Sequence, residues 1–135
     1  GAEPKGKGGS MKTAPMVLLN GTREWRNAAG KLHREDGPAI EGADGFREYW
    51  VNGKRHREDG PAVEWANGDR EWYRNDKRHR EDGPAIEWAD GTRECWVNGQ
   101  LHREDGPAIE EADGSCEWWI NGVRQPVPKG SADEI

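Results

Sequence analysis

No apolar run in this chain of 135 residues approaches the length of about 20 that a membrane-crossing helix requires, and no signal-peptide core precedes a cleavage site. Cysteine is scarce. Cys95 and Cys116 are the only two, too few for a disulfide-stapled scaffold. Hydrophobic residues make up 32% of the chain against 34% charged, and the mean hydropathy of −1.17 would suit a disordered polymer. A basic stripe is also missing: 20 basic and 26 acidic residues interleave to a net charge of −6, which excludes nucleic acid as a general partner. Glycine-rich phosphate loops are absent. These gaps point to a soluble protein of the cytoplasm or another reducing compartment.

What the chain does have is tryptophan and a strict repeat. The heptad His-Arg-Glu-Asp-Gly-Pro-Ala begins at His33, His56, His79 and His102, and 56−33 = 79−56 = 102−79 = 23 residues. A period of this size marks one supersecondary unit stacked on copies of itself. The eight Trp recur at fixed places in the period, so a thin aromatic core replaces the usual aliphatic one and a folded, slender repeat protein is expected.

Residues 1–10 are a Gly/Lys-rich leader that matches nothing in the repeat, expected to be flexible and foreign to the native chain, with Met11 the natural start. Residues 11–20 read as a capping half-unit, because Pro15 to Gly21 aligns with Ala85 to Gly91. The repeats span 21–124: four units at 21–44, 45–67, 68–90 and 91–113, then a truncated fifth. Residues 125–135 form a C-terminal cap and tail, in which Pro126 and Pro128 remove donors from a further strand.

Each unit carries two turn signals. One is Asn-Gly, as at Asn98-Gly99, with Asn75-Asp76 standing in once and a longer turn expected at Asn27-Ala28-Ala29-Gly30. The other is Ala-Asp-Gly or Ala-Asn-Gly, as at Asn67-Gly68. With no helical period, the fold class is all-β: an elongated array of antiparallel hairpins with about ten short strands. If both turns are two-residue loops, Val63 pairs with Trp72, Ile86 with Cys95 and Ile109 with Trp118 on the core face. The opposite face then receives the carboxylate pairs Glu41/Glu48, Glu64/Glu71, Glu87/Glu94 and Glu110/Glu117 beside Trp50, Tyr73, Trp96 and Trp119. Like charges placed so call for a cation, either the heptad arginines (Arg34, Arg57, Arg80, Arg103) or a ligand. The heptad histidines read as structural, hydrogen-bonded groups. Cys95 and Cys116 fall about 10 Å apart on strands separated by one other, too far for a disulfide.

Trp50-Val-Asn-Gly53-Lys-Arg-His56 and Trp96-Val-Asn-Gly99-Gln-Leu-His102 resemble the Trp-x-x-Gly-x-x-His spine of MORN repeats, whose period is the same. The resemblance covers about residues 15–124. Arg57 stands where the family usually has Gly, and the Glu-Asp-Gly-Pro-Ala sequel resembles a divergent MORN variant of bacterial or viral type. It implies an elongated β-hairpin array used for protein or lipid contacts, without chemistry of its own, and it treats the Trp50 column as core.

Catalytic readings fail on repetition and distance. Four near-equivalent carboxylate pairs along an open sheet form no single water-excluding pocket. Cys95 facing His102 has Tyr49 and Trp72 in the same place elsewhere, and successive histidines lie too far apart to share a metal. No cofactor is expected. The leading function is a non-enzymatic scaffold binding another protein, through a basic segment laid on the row Glu48, Trp50, Glu71, Tyr73, Glu94, Trp96 and Trp119. Membrane-surface association and carbohydrate binding by an aromatic ladder are the alternatives.

Overall fold

The computed structural model describes residues 14–130. The expected leader at 1–10, the start of the cap at 11–13 and the tail at 131–135 lie outside the described residues. Within them the chain is all β and antiparallel. Its strands are β1 (Met16–Val17), β2 (Arg23–Glu24), β3 (Ile40–Glu41), β4 (Arg47–Glu48), β5 (Trp50–Val51), β6 (Lys54–Arg55), β7 (Val63–Glu64), β8 (Arg70–Glu71), β9 (Tyr73–Arg74), β10 (Lys77–Arg78), β11 (Ile86–Glu87), β12 (Arg93–Glu94), β13 (Trp96–Val97), β14 (Gln100–Leu101), β15 (Ile109–Glu110), β16 (Cys116–Ile120) and β17 (Val123–Gln125).

Eleven strands form one sheet in the order β1-β2-β3-β4-β7-β8-β11-β12-β15-β16-β17, and the hairpins β5-β6, β9-β10 and β13-β14 stand beside it. The count of strands exceeds the expected ten because long strands break in two in the internal units, whereas β16 runs through unbroken. After β8, for example, Trp72 donates to the Ala85 carbonyl, and the chain then turns out of the sheet into β9.

The Asn-Gly turns are two-residue loops, as their sequence demands. Trp96 pairs with Leu101 and Val97 with Gln100, while Asn98 and Gly99 both take positive φ, 53° and 80°, the geometry of a type I′ turn. In the first unit the Gly30 amide donates to the Asn27 carbonyl, giving the longer loop that the extra residue requires.

The second turn differs from expectation, and the difference reverses the sheet. Trp65 donates to the Asp69 carbonyl and Gly68 to the Trp65 carbonyl, so Ala66-Asn67-Gly68 is a three-residue loop. Only Gly68, at φ 101°, enters the left-handed region, and the Asn67 side chain accepts the Asp69 amide. Val63 therefore pairs with Glu71 and Glu64 with Arg70, one residue away from the expected register. Because strand neighbours point to opposite faces, that single step moves every side chain of β8 to the other side. The same correction holds at Ile40 with Glu48, Ile86 with Glu94 and Ile109 with Glu117. The carboxylate pairs Glu41/Glu48, Glu64/Glu71, Glu87/Glu94 and Glu110/Glu117 consequently do not form.

Consecutive segments are joined by the heptad histidines. His56 Nδ1 accepts the Asn75 amide at 3.0 Å, His79 Nδ1 that of Asn98 at 3.0 Å and His102 Nδ1 that of Asn121 at 2.9 Å, each reaching the next hairpin turn. The Nε2 side meets the heptad glutamate, at 2.7 Å for His56 and Glu58.

Two substitutions probe this architecture. Ile86, the largest fully buried side chain, is 1% exposed, and Ile86→Ala should cost about 2–5 kcal/mol in denaturant unfolding. His79 is buried, and His79→Ala strands the Asn98 amide, which should cost about 1–3 kcal/mol. A loss for His79→Ala no larger than for an exposed-site control such as Lys129→Ala would show that water replaces the imidazole.

Candidate functional site

The residues expected to form a ligand-facing row do lie together, but they face one another. Tyr73 donates to Glu71 Oε1 at 2.8 Å, and the indole Nε1 of Trp50, Trp96 and Trp119 donates to Glu48, Glu94 and Glu117 at 2.6, 2.8 and 2.9 Å. Two further indoles, which sequence reasoning left unassigned, join them: Trp65 donates to Glu71 at 2.9 Å and Trp88 to Glu94 at 3.2 Å. Glu71 is 7% exposed and Tyr73 8% exposed, whereas Trp50, Trp96 and Trp119 are half-buried. A carboxylate removed from water needs such donors, and alternation along the strand puts each glutamate on the same side as the ring two residues later.

The cation expected over this row is supplied by the chain itself. Arg55 lies 5.0 Å from the Trp50 ring and 5.2 Å from Tyr73; Arg78 lies 5.9 Å from Tyr73 and 5.1 Å from Trp96. Rings and guanidinium groups thus alternate from Trp50 to Trp96. Arg78 also approaches Glu71 at 3.7 Å. Neither arginine was singled out from the sequence, although both occupy the place before the heptad histidine and pair across their hairpins with an aromatic residue, Arg55 with Trp50 and Arg78 with Tyr73.

On the opposite face the heptad arginines fold down as expected, with one change of target. Arg57 donates through Nε to Asp59 at 3.2 Å and through a terminal nitrogen to the Pro61 carbonyl at 3.0 Å, and it approaches Glu64 at 3.6 Å. Arg34, Arg80 and Arg103 repeat these contacts with Glu41, Glu87 and Glu110. The Glu48 column is served separately, by hydrogen bonds from indoles and the Tyr73 phenol, with the Arg78 cation beside Glu71. Arg57 also stacks on Tyr49 at 3.9 Å, Arg34 on Trp25 at 3.8 Å and Arg80 on Trp72 at 4.1 Å.

Neither catalytic constellation is assembled. Glu64 and Glu71 lie on opposite faces, which removes the carboxylate dyad, and His102 turns its ring nitrogens to Asn121 and Glu104 rather than to Cys95. Burial pushes the Cys95 thiol up, away from the thiolate a nucleophile requires. Neither cysteine is in a disulfide, and among the described residues no helix is long and apolar enough to cross a membrane.

The heptad loops carry outward-facing carboxylates in every copy. The side chains of Glu35, Asp36, Glu58, Asp59, Glu81, Asp82, Glu104 and Asp105 are between 58% and 88% exposed. The hydrogen bond from His56 holds the Glu58 carboxyl below the usual range, and that from Arg103 does the same for Asp105.

Comparison with protein-family models, with curated proteins and with solved structures finds no match for this chain.

Burial, then the bond to Glu71, raises the Tyr73 phenol above its ordinary value near 10. The unfolded chain therefore loses this proton first as pH rises, so the stability it contributes is full below about pH 10 and is lost as pH climbs through the folded value. Tyr49→Phe leaves Tyr73 as the sole tyrosine. Its phenolate absorbance should appear above pH 10 in the folded protein and near 10 in denaturant, and coincident titrations would contradict the buried Tyr73–Glu71 contact.

Proposed function

We propose that the chain is a non-enzymatic scaffold of MORN-like repeats that binds a basic segment of another protein along one side of its hairpin array. The observation that carries this reading is the row of eight exposed heptad-loop carboxylates, placed at every repeat. The same contacts recur 23 residues apart at Arg34, Arg57, Arg80 and Arg103, as stacked copies of one unit require. The row Glu48, Trp50, Glu71, Tyr73, Glu94, Trp96 and Trp119 then belongs to the frame, since its acids and rings satisfy one another and its cation positions are taken by Arg55 and Arg78. The loop carboxylates keep charge to spare, and they meet a Lys- or Arg-rich strand at several points at once, so that weak pairs reinforce each other on one tether.

The test uses an arginine-rich nonapeptide and the protein variant Glu58→Gln, Glu81→Gln, Glu104→Gln. These glutamates touch their histidines and leave the Asp–Arg contacts in place. Fluorescence anisotropy should show affinity falling as salt rises, and the triple variant should bind roughly tenfold more weakly. Affinity indifferent to both salt and the substitutions would overturn the proposed surface.

A further inference from the structure

Across the face that carries the heptad arginines, Ala39, Ala62, Ala85 and Ala108 alternate with Trp25, Tyr49, Trp72, Cys95 and Trp118. Backbone bonds fix the correspondence: Trp25 donates to the Ala39 carbonyl, Tyr49 to Ala62, Trp72 to Ala85 and Cys95 to Ala108. Cys95 therefore occupies an aromatic position with a side chain that ends at sulfur.

The surroundings of that position are still built for a ring. Trp72 lies between two guanidinium groups, Arg80 at 4.1 Å and Arg70 at 5.7 Å, and Trp25 between Arg34 at 3.8 Å and Arg23 at 5.8 Å. Arg70 is anchored by Glu87 at 2.6 Å; its counterpart Arg93 is anchored by Glu110 at 2.6 Å. Arg80 is held by Asp82 at 3.1 Å, the Pro84 carbonyl at 3.1 Å and Glu87 at 3.3 Å. Arg103 is held by Asp105 at 2.9 Å, the Pro107 carbonyl at 3.2 Å and Glu110 at 3.5 Å. Both clamps around Cys95 are thus set as they are around Trp72, yet no ring of the described residues stacks on Arg93 or Arg103. A cavity of about 630 Å³ opens instead, lined by Cys95, Val97, Pro84, Pro107, Arg93 and Arg103. Its size falls within the about 300–1,000 Å³ of small-ligand sites.

We infer that this cavity binds a planar, electron-rich aromatic ring of indole or phenol type, stacked on the Arg103 guanidinium and flanked by Arg93. The two cations favour the negative face of such a ring. An anionic arene is disfavoured, because Glu81, Asp82, Glu104, Asp105 and Glu110 outnumber Arg80, Arg93 and Arg103 around the opening. Proline and valine supply apolar walls, and the neutral thiol of Cys95 gives a polarisable floor that suits an aromatic edge. The ring belongs either to a free small molecule or to a Trp or Tyr side chain of a protein segment. The opening shares Glu81, Asp82, Glu104 and Asp105 with the proposed carboxylate row, but stacking of a ring on Arg103 does not require that row to bind a basic segment.

Ligand-observed fluorine NMR with 5-fluoroindole tests this on the full chain without interference from the protein's eight Trp. Binding should be saturable and displaced by indole but not by cyclohexanol. Cys95→Trp should abolish it and raise the melting temperature, since the introduced indole fills the slot as Trp72 fills its own. Arg103→Gln should weaken it about twofold to thirtyfold, the range of one cation–ring contact. Cys95→Ser should preserve it. Absence of saturable binding, equal displacement by cyclohexanol, or unchanged binding in Arg103→Gln would overturn the inference, and the last two variants decide it even if Cys95→Trp does not fold. The peptide Gly-Gly-Trp-Gly-Gly separates the sources: displacement at least as strong as by free indole assigns the ring to a protein segment, whereas displacement by indole alone assigns it to a small molecule.

Discussion

The heptad arginine joins every layer of the structure through one side chain. In the second unit the Arg57 amide donates to the Tyr73 carbonyl of the next hairpin, Nε holds Asp59, a terminal nitrogen holds the Pro61 carbonyl and Glu64, and the flat face covers Tyr49. Only guanidinium combines five fixed donors with a planar, weakly hydrated face, so lysine at this position would keep the charge and lose the geometry. The requirement extends to the glycine three residues on. A Cβ at Gly37, Gly60, Gly83 or Gly106 would lie 2.8–3.0 Å from the carbon of its guanidinium. Any larger residue there would push the guanidinium off its place, a constraint that adds to the freedom of a glycine preceding proline.

With hydrophobic residues scarce, polar groups do much of the packing. Glutamates on the Glu48–Glu117 row, which an apolar core would exclude, accept from indole and phenol donors, and arginines lie between successive rings. The low hydropathy of the described residues therefore does not signal disorder, because the side chains that lower it present flat or methylene-rich surfaces to one another and direct most of their polar atoms to specific partners, the buried Nε atoms of Arg55 and Arg78 excepted. Such a core tolerates error poorly: a missing partner leaves a buried donor or acceptor that water reaches with difficulty.

The period, the all-β class, the type I′ turns and the structural histidines were legible from the sequence, since each depends on residues close together in the chain. The register of the large sheet was not. Asn98-Gly99 and Asp90-Gly91 look alike as letters, yet Asn98 itself takes positive φ while in the second turn glycine alone does. The distinction shows in the side chain of the preceding residue: Asp44, Asn67, Asp90 and Asp113 each accept the amide two positions on, which closes a three-residue loop. Reading those residues as loop formers would have placed Glu71 and Tyr73 on the same face as Val63 and Ile86 and directed Trp72 toward Arg80. The candidate row was thus found as a group of neighbours and misjudged in its exposure, because exposure follows from register and one residue reverses it.

Order in this chain also passes from each unit to the next. The histidine of one unit receives an amide from the following turn, the arginine amide donates to the following hairpin, and a tip such as Gly99 donates back to the Arg78 carbonyl. Every internal unit thus completes its neighbour. At the last turn the chain supplies Gln125 where the next histidine would stand, and its side-chain nitrogen donates to the Val123 carbonyl within its own hairpin. Pro126 follows, without an amide hydrogen where the next heptad arginine would offer one to a succeeding hairpin. Among the described residues β17 is the last strand, and at its end both groups that link one unit to the next elsewhere in the chain are replaced.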